Sequence, residues 1–415
     1  MKQLTLFFRF YFLISLGLIL LTGLFFPHNV FSQIPRITMQ TNRDVGTAIN
    51  LQFSSDSIET KSIVIHGAVK AIWGYVITNQ TIIIEGKIKR MSCRSGGLTS
   101  LDISQNTELT DLLCDGNELK QLNVSKNKSL DFLSCNNNQL NALDVSKNKK
   151  LTYLACGGNN LKTLNVSKNT HLISLQCSNT PLVDLKLSKN IKLESLDCRD
   201  MPQLSALNLS KNKLLNVLNC SNMNLTTLNL KANKYLTKLD CGMNPLETIC
   251  LSSNKKLKEL ICRGTNLNEL DLSFNDSIEN LDCSENRLEN LCLANLELLS
   301  VLDCRHNHLS ELDISTNNRS LKHVLLEGNK FAACEIDNLF RQLPSHDTEP
   351  GIIFLKYGEI SLPGTDGCRE YIATEKNWKV MSIFLEPCED PESHGHHFHE
   401  IMQDINNSGN YVCND

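Results

Sequence analysis

Cysteine recurs in this chain at a fixed interval. Cys93, Cys114, Cys135, Cys156, Cys177, Cys198, Cys220, Cys241, Cys262, Cys283 and Cys304 follow one another every 21 residues, with a single step of 22 after Cys198. Seventeen cysteines in all would suggest a disulfide framework, but eleven at one interval mark a structural period. One interval, Leu151 to His171, reads LTYLACGGNNLKTLNVSKNTH, with apolar side chains at Leu151, Leu154, Cys156, Leu161, Leu164 and Val166. The pattern returns from about residue 98 to 317, and it is nearly doubled inside each interval, LxxLxCxxN being followed by LxxLxVSKN.

Each half alternates inward and outward side chains with a period of two, and no interval holds the ten or more residues of helical periodicity that a helix requires. Both long sides of a coil are therefore expected to be extended. A single coil buries too little apolar surface to offset the ordering of its backbone, so the coils must stack. The expected fold is a mainly β repeat solenoid, right-handed, and straighter than a horseshoe whose outer side is helical. Adjacent coils about 4.8 Å apart fall within the reach of a disulfide, yet side chains on stacked parallel strands are poorly aimed at one another. The eleven cysteines are read as reduced thiols that fill a narrow core as small hydrophobes.

Asparagine marks the turns. Asn106, Asn127, Asn148, Asn169, Asn190, Asn212, Asn233, Asn254, Asn275 and Asn317 occupy one turn, with Leu296 as the exception. Their amides are suited to satisfying backbone groups of a bend. The companion turn has Asn117, Asn138, Asn159, Asn244, Asn286 and Asn307, but Gly96, Thr180, Met201, Met223 and Thr265 elsewhere.

Residues 1–32 carry Lys2 and Arg9, an apolar run from Tyr11 to Phe26 and then Val30-Phe31-Ser32. This is the pattern of a signal peptide cut before Gln33; an uncleaved membrane anchor is the alternative. No later segment reaches the eighteen or so apolar residues that span a bilayer, so no integral membrane segment is expected after cleavage. The formal net charge of −4 with 41% apolar residues describes no polycation, and nucleic acid is not an expected partner.

The motif LxxLxCxxNxLxxLDVSKNxx resembles the bacterial leucine-rich repeats with a nested 21-residue unit, described as internalin-like or surface-antigen-like. Beside that resemblance, Ile37-Thr38-Met39 with Gly46 and Ile82-Ile83-Ile84-Glu85-Gly86 look like a small N-terminal β cap. Asn329-Lys330-Phe331, the helix-like 336–344, and Gly367-Cys368 with Ala373 and Trp378 look like an α/β C-terminal cap. The resulting division is 1–32 signal peptide, 33–92 N-terminal cap, 93–330 solenoid, 331–385 C-terminal cap and 386–415 tail. The resemblance implies a secreted or cell-surface binding module that meets another protein or serves adhesion, with no cofactor and no enzymatic activity. Binding of a surface glycan is the alternative, and metal binding by the tail a weaker one.

Few residues suggest chemistry. The aspartates and serines recur with the repeat, as in Asp102, Asp144, Asp271 and Asp313 with Ser104, Ser146, Ser273 and Ser315. No phosphate loop, nucleophile elbow or zinc-protease helix is present. Cys250 and Cys292 fall at an outward position two coils apart and should not bridge. Cys334 with Cys368, and Cys388 with Cys413, are candidate disulfides. His394, His396, His397 and His399 lie together in the tail; their spacing matches no closed metal site, and a solvated tail is the simpler reading.

The surface says more. Phe132 and Tyr153 share one outward position in adjacent coils, with Leu113 outward in the coil before; they either form a binding hot spot or pack on one another as a cross-strand ladder. Lys126, Lys147, Lys168, Lys189 and Lys211 form a column that meets an acidic partner or glycan, or else is a solvated turn edge. Residues 109–190 carry a net charge of +4 and residues 258–317 a net charge of −8.

Overall fold

The computed structural model describes residues 34–383 except 56–62, 73, 315–317, 358–359 and 362–364. The chain forms two compact units, 1–257 and 258–415. Coils in a repeat array touch only their neighbours, so a boundary between units can fall between two coils, as it does at Leu257.

The first unit opens with short strands: β1 (Arg36–Thr41), β2 (Ala48–Ile49), β3 (Gln52–Ser54), β4 (Val64–His66), β5 (Ala68–Ala71), β6 (Gly74–Ile77), β7 (Thr81–Glu85), β8 (Arg90–Ser92) and β9 (Leu98–Asp102). β1 lies antiparallel between β7 and β9, with Thr38 opposite Ile83 and Met39 opposite Leu101. The second side of the first coil is thus a cap strand, which covers the apolar end of the stack with paired backbone. Ile37, Met39, Ile82 and Ile84 are fully buried on the inner face of that sheet.

Seven three-residue strands follow, one per coil: β10 (Asp111–Leu113), β11 (Phe132–Ser134), β12 (Tyr153–Ala155), β13 (Ser174–Gln176), β14 (Ser195–Asp197), β15 (Val217–Asn219) and β16 (Lys238–Asp240). They pair in parallel and in register from β8 onward, so Leu112, Leu133, Leu154, Leu175 and Leu196 stack in one column and the cysteines two positions later in another. The cysteine N–H bonds the preceding strand residue's carbonyl one coil further on, as from Cys135 to Ala155 O at 2.8 Å.

The second unit repeats the pattern in β17 (Glu259–Ile261), β18 (Asn280–Asp282), β19 (Val301–Asp303) and β20 (His323–Leu325), then closes with α1 (Ala333–Gln342), β21 (Gly351–Tyr357), β22 (Ile360–Ser361), α2 (Tyr371–Thr374) and β23 (Trp378–Ile383). β21 pairs in parallel with β20 and with β23. Ile336, Leu339 and Phe340 of α1 are buried. Gly351 lies against the Trp378 ring, where an added Cβ would sit 2.6 Å from the indole, and the Trp378 indole N–H donates to Pro344 O at 2.7 Å.

The two long sides of a coil differ. The cysteine side forms a continuous ladder within each unit, whereas beyond the first coil the other side has, among the described residues, only the single bridge between Cys292 and Asp313. Its coils are tied by one backbone bond at the start of the side, as from Glu118 to Leu98 O and from Gln139 to Leu119 O, both 2.9 Å. Leu119, Leu122 and Val124 then turn inward. Of the two sides that the period-two pattern makes extended, only one forms a sheet among the described residues beyond the first coil; the second is held through its turns.

Asparagine does that holding. In the first unit each Nδ2 of Asn127, Asn148, Asn169, Asn190, Asn212, Asn233 and Asn254 donates to two carbonyls of the previous coil at 2.7–3.3 Å. In the second unit Asn318, not the expected Asn317, occupies this turn and donates to Leu293 O and Leu296 O; Asn317 and Ser315 lie outside the described residues. The step at Leu296 is therefore followed by a 22-residue coil. At the companion turn Asn117 Nδ2 donates to Cys93 O and Cys114 O, both 2.9 Å, while its Oδ1 accepts from Gly96 and Leu98 N–H. Thr180 and Thr265 supply one such bond, to the carbonyls of Cys177 and Cys262; the buried Met201 accepts the Thr180 hydroxyl on its sulfur at 3.2 Å, and Met223 is buried in the same column. That turn tolerates substitution because half its work can be done by a hydroxyl.

Candidate interaction surface

The cysteine column is interior. All eleven are buried, and no disulfide joins them. Burial pushes Cys93 and Cys156 up to about 12 and raises Cys114, Cys135, Cys177 and Cys283 well above an ordinary thiol, with the neighbouring cysteines adding to the effect. A thiol held protonated in apolar surroundings is a poor nucleophile and a poor metal ligand. Cys250 and Cys292 are exposed thiols on the opposite long side.

The recurring aspartates turn out to be structural as well. Asp102, Asp144 and Asp271 each accept the backbone N–H of the serine two residues on at 2.8–2.9 Å. The amide and hydroxyl of Ser146 hold Asp144 below the usual carboxylate range. These bends fix the entry into the turn that carries Asn106, Asn148 and Asn275.

In-register pairing brings Phe132 and Tyr153 together on the outward face of β11 and β12. Their rings stack face to face with centroids 4.0 Å apart and planes within 2°. Leu113 is opposite Ser134 rather than Phe132, so it joins the patch diagonally from the next column. All three are half-buried, and burial, followed by the Asp115 charge, raises Tyr153. Polar groups border the patch: Asp115 pairs with Arg94 at 2.6 Å, accepts the Asn136 N–H at 2.9 Å and is bonded by the Ser134 hydroxyl. Beyond Tyr153 the same column continues as Ser174 and Ser195. The arrangement is an apolar platform with a polar margin, the composition that protein interfaces favour.

Lys126, Lys147, Lys168, Lys189 and Lys211 are all exposed on the turn edge, away from the strand face.

In the second unit the outward positions flanking the cysteine strand carry titratable groups out of solvent. Arg305 forks onto Asp303, with Nη2 to Oδ2 at 2.6 Å and Nε to Oδ1 at 2.9 Å, and Asp303 is completely buried. Asp282, opposite Asp303 in the adjacent strand, accepts the Ser284 hydroxyl at 2.6 Å and its N–H at 3.0 Å; burial and then the Asp303 charge raise its carboxyl. Glu327, in the following coil, is pushed up to about 7 by burial against the pull of Arg305. Sequence reading missed this cluster. A shallow groove of about 420 Å³ in the same unit runs past Cys292, Glu311, Asp313, Glu335, Asn338 and Gln342. Among the described residues no group of three or more His, Cys, Asp or Glu side chains is placed to hold a metal ion.

No disulfide joins Cys334 and Cys368, the expected bridge; Cys334 Sγ bonds the neighbouring Glu335 carboxylate and Cys368 Sγ the Thr365 carbonyl. Cys388, Cys413, His394, His396, His397, His399 and residues 1–32 lie outside the described residues. Among the described residues no helix is long and apolar enough to cross a membrane.

No protein-family model and no curated protein matches the chain. Solved structures do resemble it. A Listeria monocytogenes internalin, inlF, aligns with 72% of this chain and 87% of its own at 17% identity and a TM-score of 0.63. A Leptospira interrogans leucine-rich-repeat protein aligns with 58% of this chain and 72% of its own at 21% identity and a TM-score of 0.51. The functional domain of InlJ from Listeria monocytogenes, which includes a cysteine ladder, aligns with 68% of this chain and 78% of its own at 26% identity and a TM-score of 0.47. The fold is the leucine-rich-repeat solenoid in its internalin-like form.

Proposed function

We propose that this internalin-like leucine-rich-repeat solenoid is a non-enzymatic binding module that works outside the cell and holds another protein on the strand face of its first unit. The observation that carries the reading is the Phe132–Tyr153 stack with Leu113 beside it, a half-exposed apolar platform on a face whose other outward positions are mostly small or polar. Aromatic anchors within a polar margin carry most of the energy of protein interfaces. The leader pattern in residues 1–32 supports export, and the thiols and aspartates of the repeat are occupied with structure rather than catalysis.

The test replaces the aromatics by the residue already present in their column. F132S/Y153S should leave the fold intact, because Ser174 and Ser195 occupy the equivalent sites. Proximity labelling on intact cells with the wild type should identify a protein partner, and its affinity for purified F132S/Y153S should fall by roughly thirtyfold or more, the loss typical of a hot spot. Equal affinity for the folded variant, or steady turnover of a substrate by the wild type, would overturn the reading.

A further inference from the structure

The lysine column is part of a larger feature. In the seven consecutive turns 125–129, 146–150, 167–171, 188–192, 210–214, 231–235 and 252–256 there are fourteen lysines and neither an aspartate nor a glutamate. All fourteen are exposed. Among the described residues no carboxylate forms an ion pair with Lys126, Lys147, Lys168, Lys189 or Lys211. Like charges stacked coil on coil repel one another, and folding alone gives no reason to collect them on one edge.

The edge is also rigid. Beneath each lysine turn the asparagine ladder ties the backbone to the coil before it, as Asn148 Nδ2 does to Val124 O at 2.9 Å and Asn127 O at 2.7 Å, while Asn148 N–H closes the turn onto Val145 O at 3.0 Å. The lysine Cα atoms therefore repeat at the coil spacing of about 4.8 Å, and seven turns give a basic line of about 29 Å.

We infer that this edge binds a linear sulfated polysaccharide, independently of the strand face. A stripe five residues wide fits a single extended polymer better than a flat membrane. Its cations are all lysine, point charges suited to sulfate esters, with none of the arginine forks that grip phosphate in two places. Its one aromatic residue, Tyr235, lies under Lys256 at 4.7 Å from the ring centroid, so the edge offers no series of platforms for stacking bases. Exposed Ile191, Leu214 and Tyr235 among the lysines present apolar surface to the C–H faces of sugar rings.

The experiment measures binding of the full chain to heparin, to chemically desulfated heparin, to duplex DNA and to anionic lipid vesicles over a range of salt. Two variants are compared: K126S/K147S/K168S/K189S/K211S, whose serine already occurs in that column at Ser253, and the off-edge control K120S/K162S/K186S. Heparin should bind, desulfated heparin should not, and affinity should fall steeply with salt. The five-lysine variant should bind at least tenfold more weakly and lose roughly three to four from the slope of log affinity against log salt, at about 0.7 per charge; the control and F132S/Y153S should match the wild type. Tighter binding to DNA or vesicles than to heparin, indifference to sulfation, or an unchanged slope in the folded five-lysine variant would overturn the inference. Because F132S/Y153S reports on the strand face alone, failure of either reading is distinguishable from failure of the other.

Discussion

The two compact units are built from the same coil and differ in how they treat charge. The first sets its lysines on an outer edge, in solvent, above an unbroken run of asparagines from Asn106 to Asn254. The second interrupts that run at Leu296 and draws Asp282, Asp303, Arg305 and Glu327 out of solvent beside its cysteine strand. Columns that face inward have little freedom, since each side chain touches copies of itself above and below. Outer columns are free to diverge, and the second unit has used that freedom to accumulate titratable groups out of solvent, of which Asp303 and Arg305 neutralise each other.

The largest effect should come from breaking that mutual dependence. R305M leaves Asp303 buried with no counter-charge and should destabilise the second unit by about 3–5 kcal/mol. Urea unfolding followed by hydrogen exchange in peptides from 258–383 would detect it; a loss no greater than an ordinary surface substitution would mean that the pair is dispensable.

The raised carboxyls make the second unit sensitive to pH. Glu327 titrates near 7 in the folded chain and near its ordinary value when unfolded, so between these values the folded state holds the extra proton. Stability should therefore fall as pH rises through that window, by on the order of 3 kcal/mol for this group alone. E327Q should flatten the pH profile of the second unit, and E327Q/D282N should flatten it further, with the first unit unaffected. A stability that instead rises from pH 5 to pH 7.5 in the wild-type second unit would contradict the assignment.

The smallest effect concerns the interrupted turn. L296N should extend the asparagine run by offering its amide to the carbonyls of the preceding coil, with a gain of about 1 kcal/mol. No gain, or a loss, would mean that Leu296 packing outweighs those bonds, and thermal unfolding of the variant against the wild type decides between them.

The periodic leucines, cysteines and asparagines made the coil and its stacking legible from residues alone, because a side chain repeated every 21 positions can be buried repeatedly only against its own copies. The turn lysines were legible as one column, but their full extent required knowing which neighbouring residues share the edge. The sequence pattern puts the helical cap at 336–344 against the observed Ala333–Gln342, since the buried side chains of that helix begin only at Ile336.

Several features were decided by tertiary structure alone. The asymmetry between a laddered side and a side held by its turns depends on which backbone groups find partners across coils. The charge cluster of the second unit is invisible in sequence because Asp303 and Glu327 look like any exposed acid until the neighbouring coils close over them. Sequence determines what repeats; packing determines which of the non-repeating side chains lose their water.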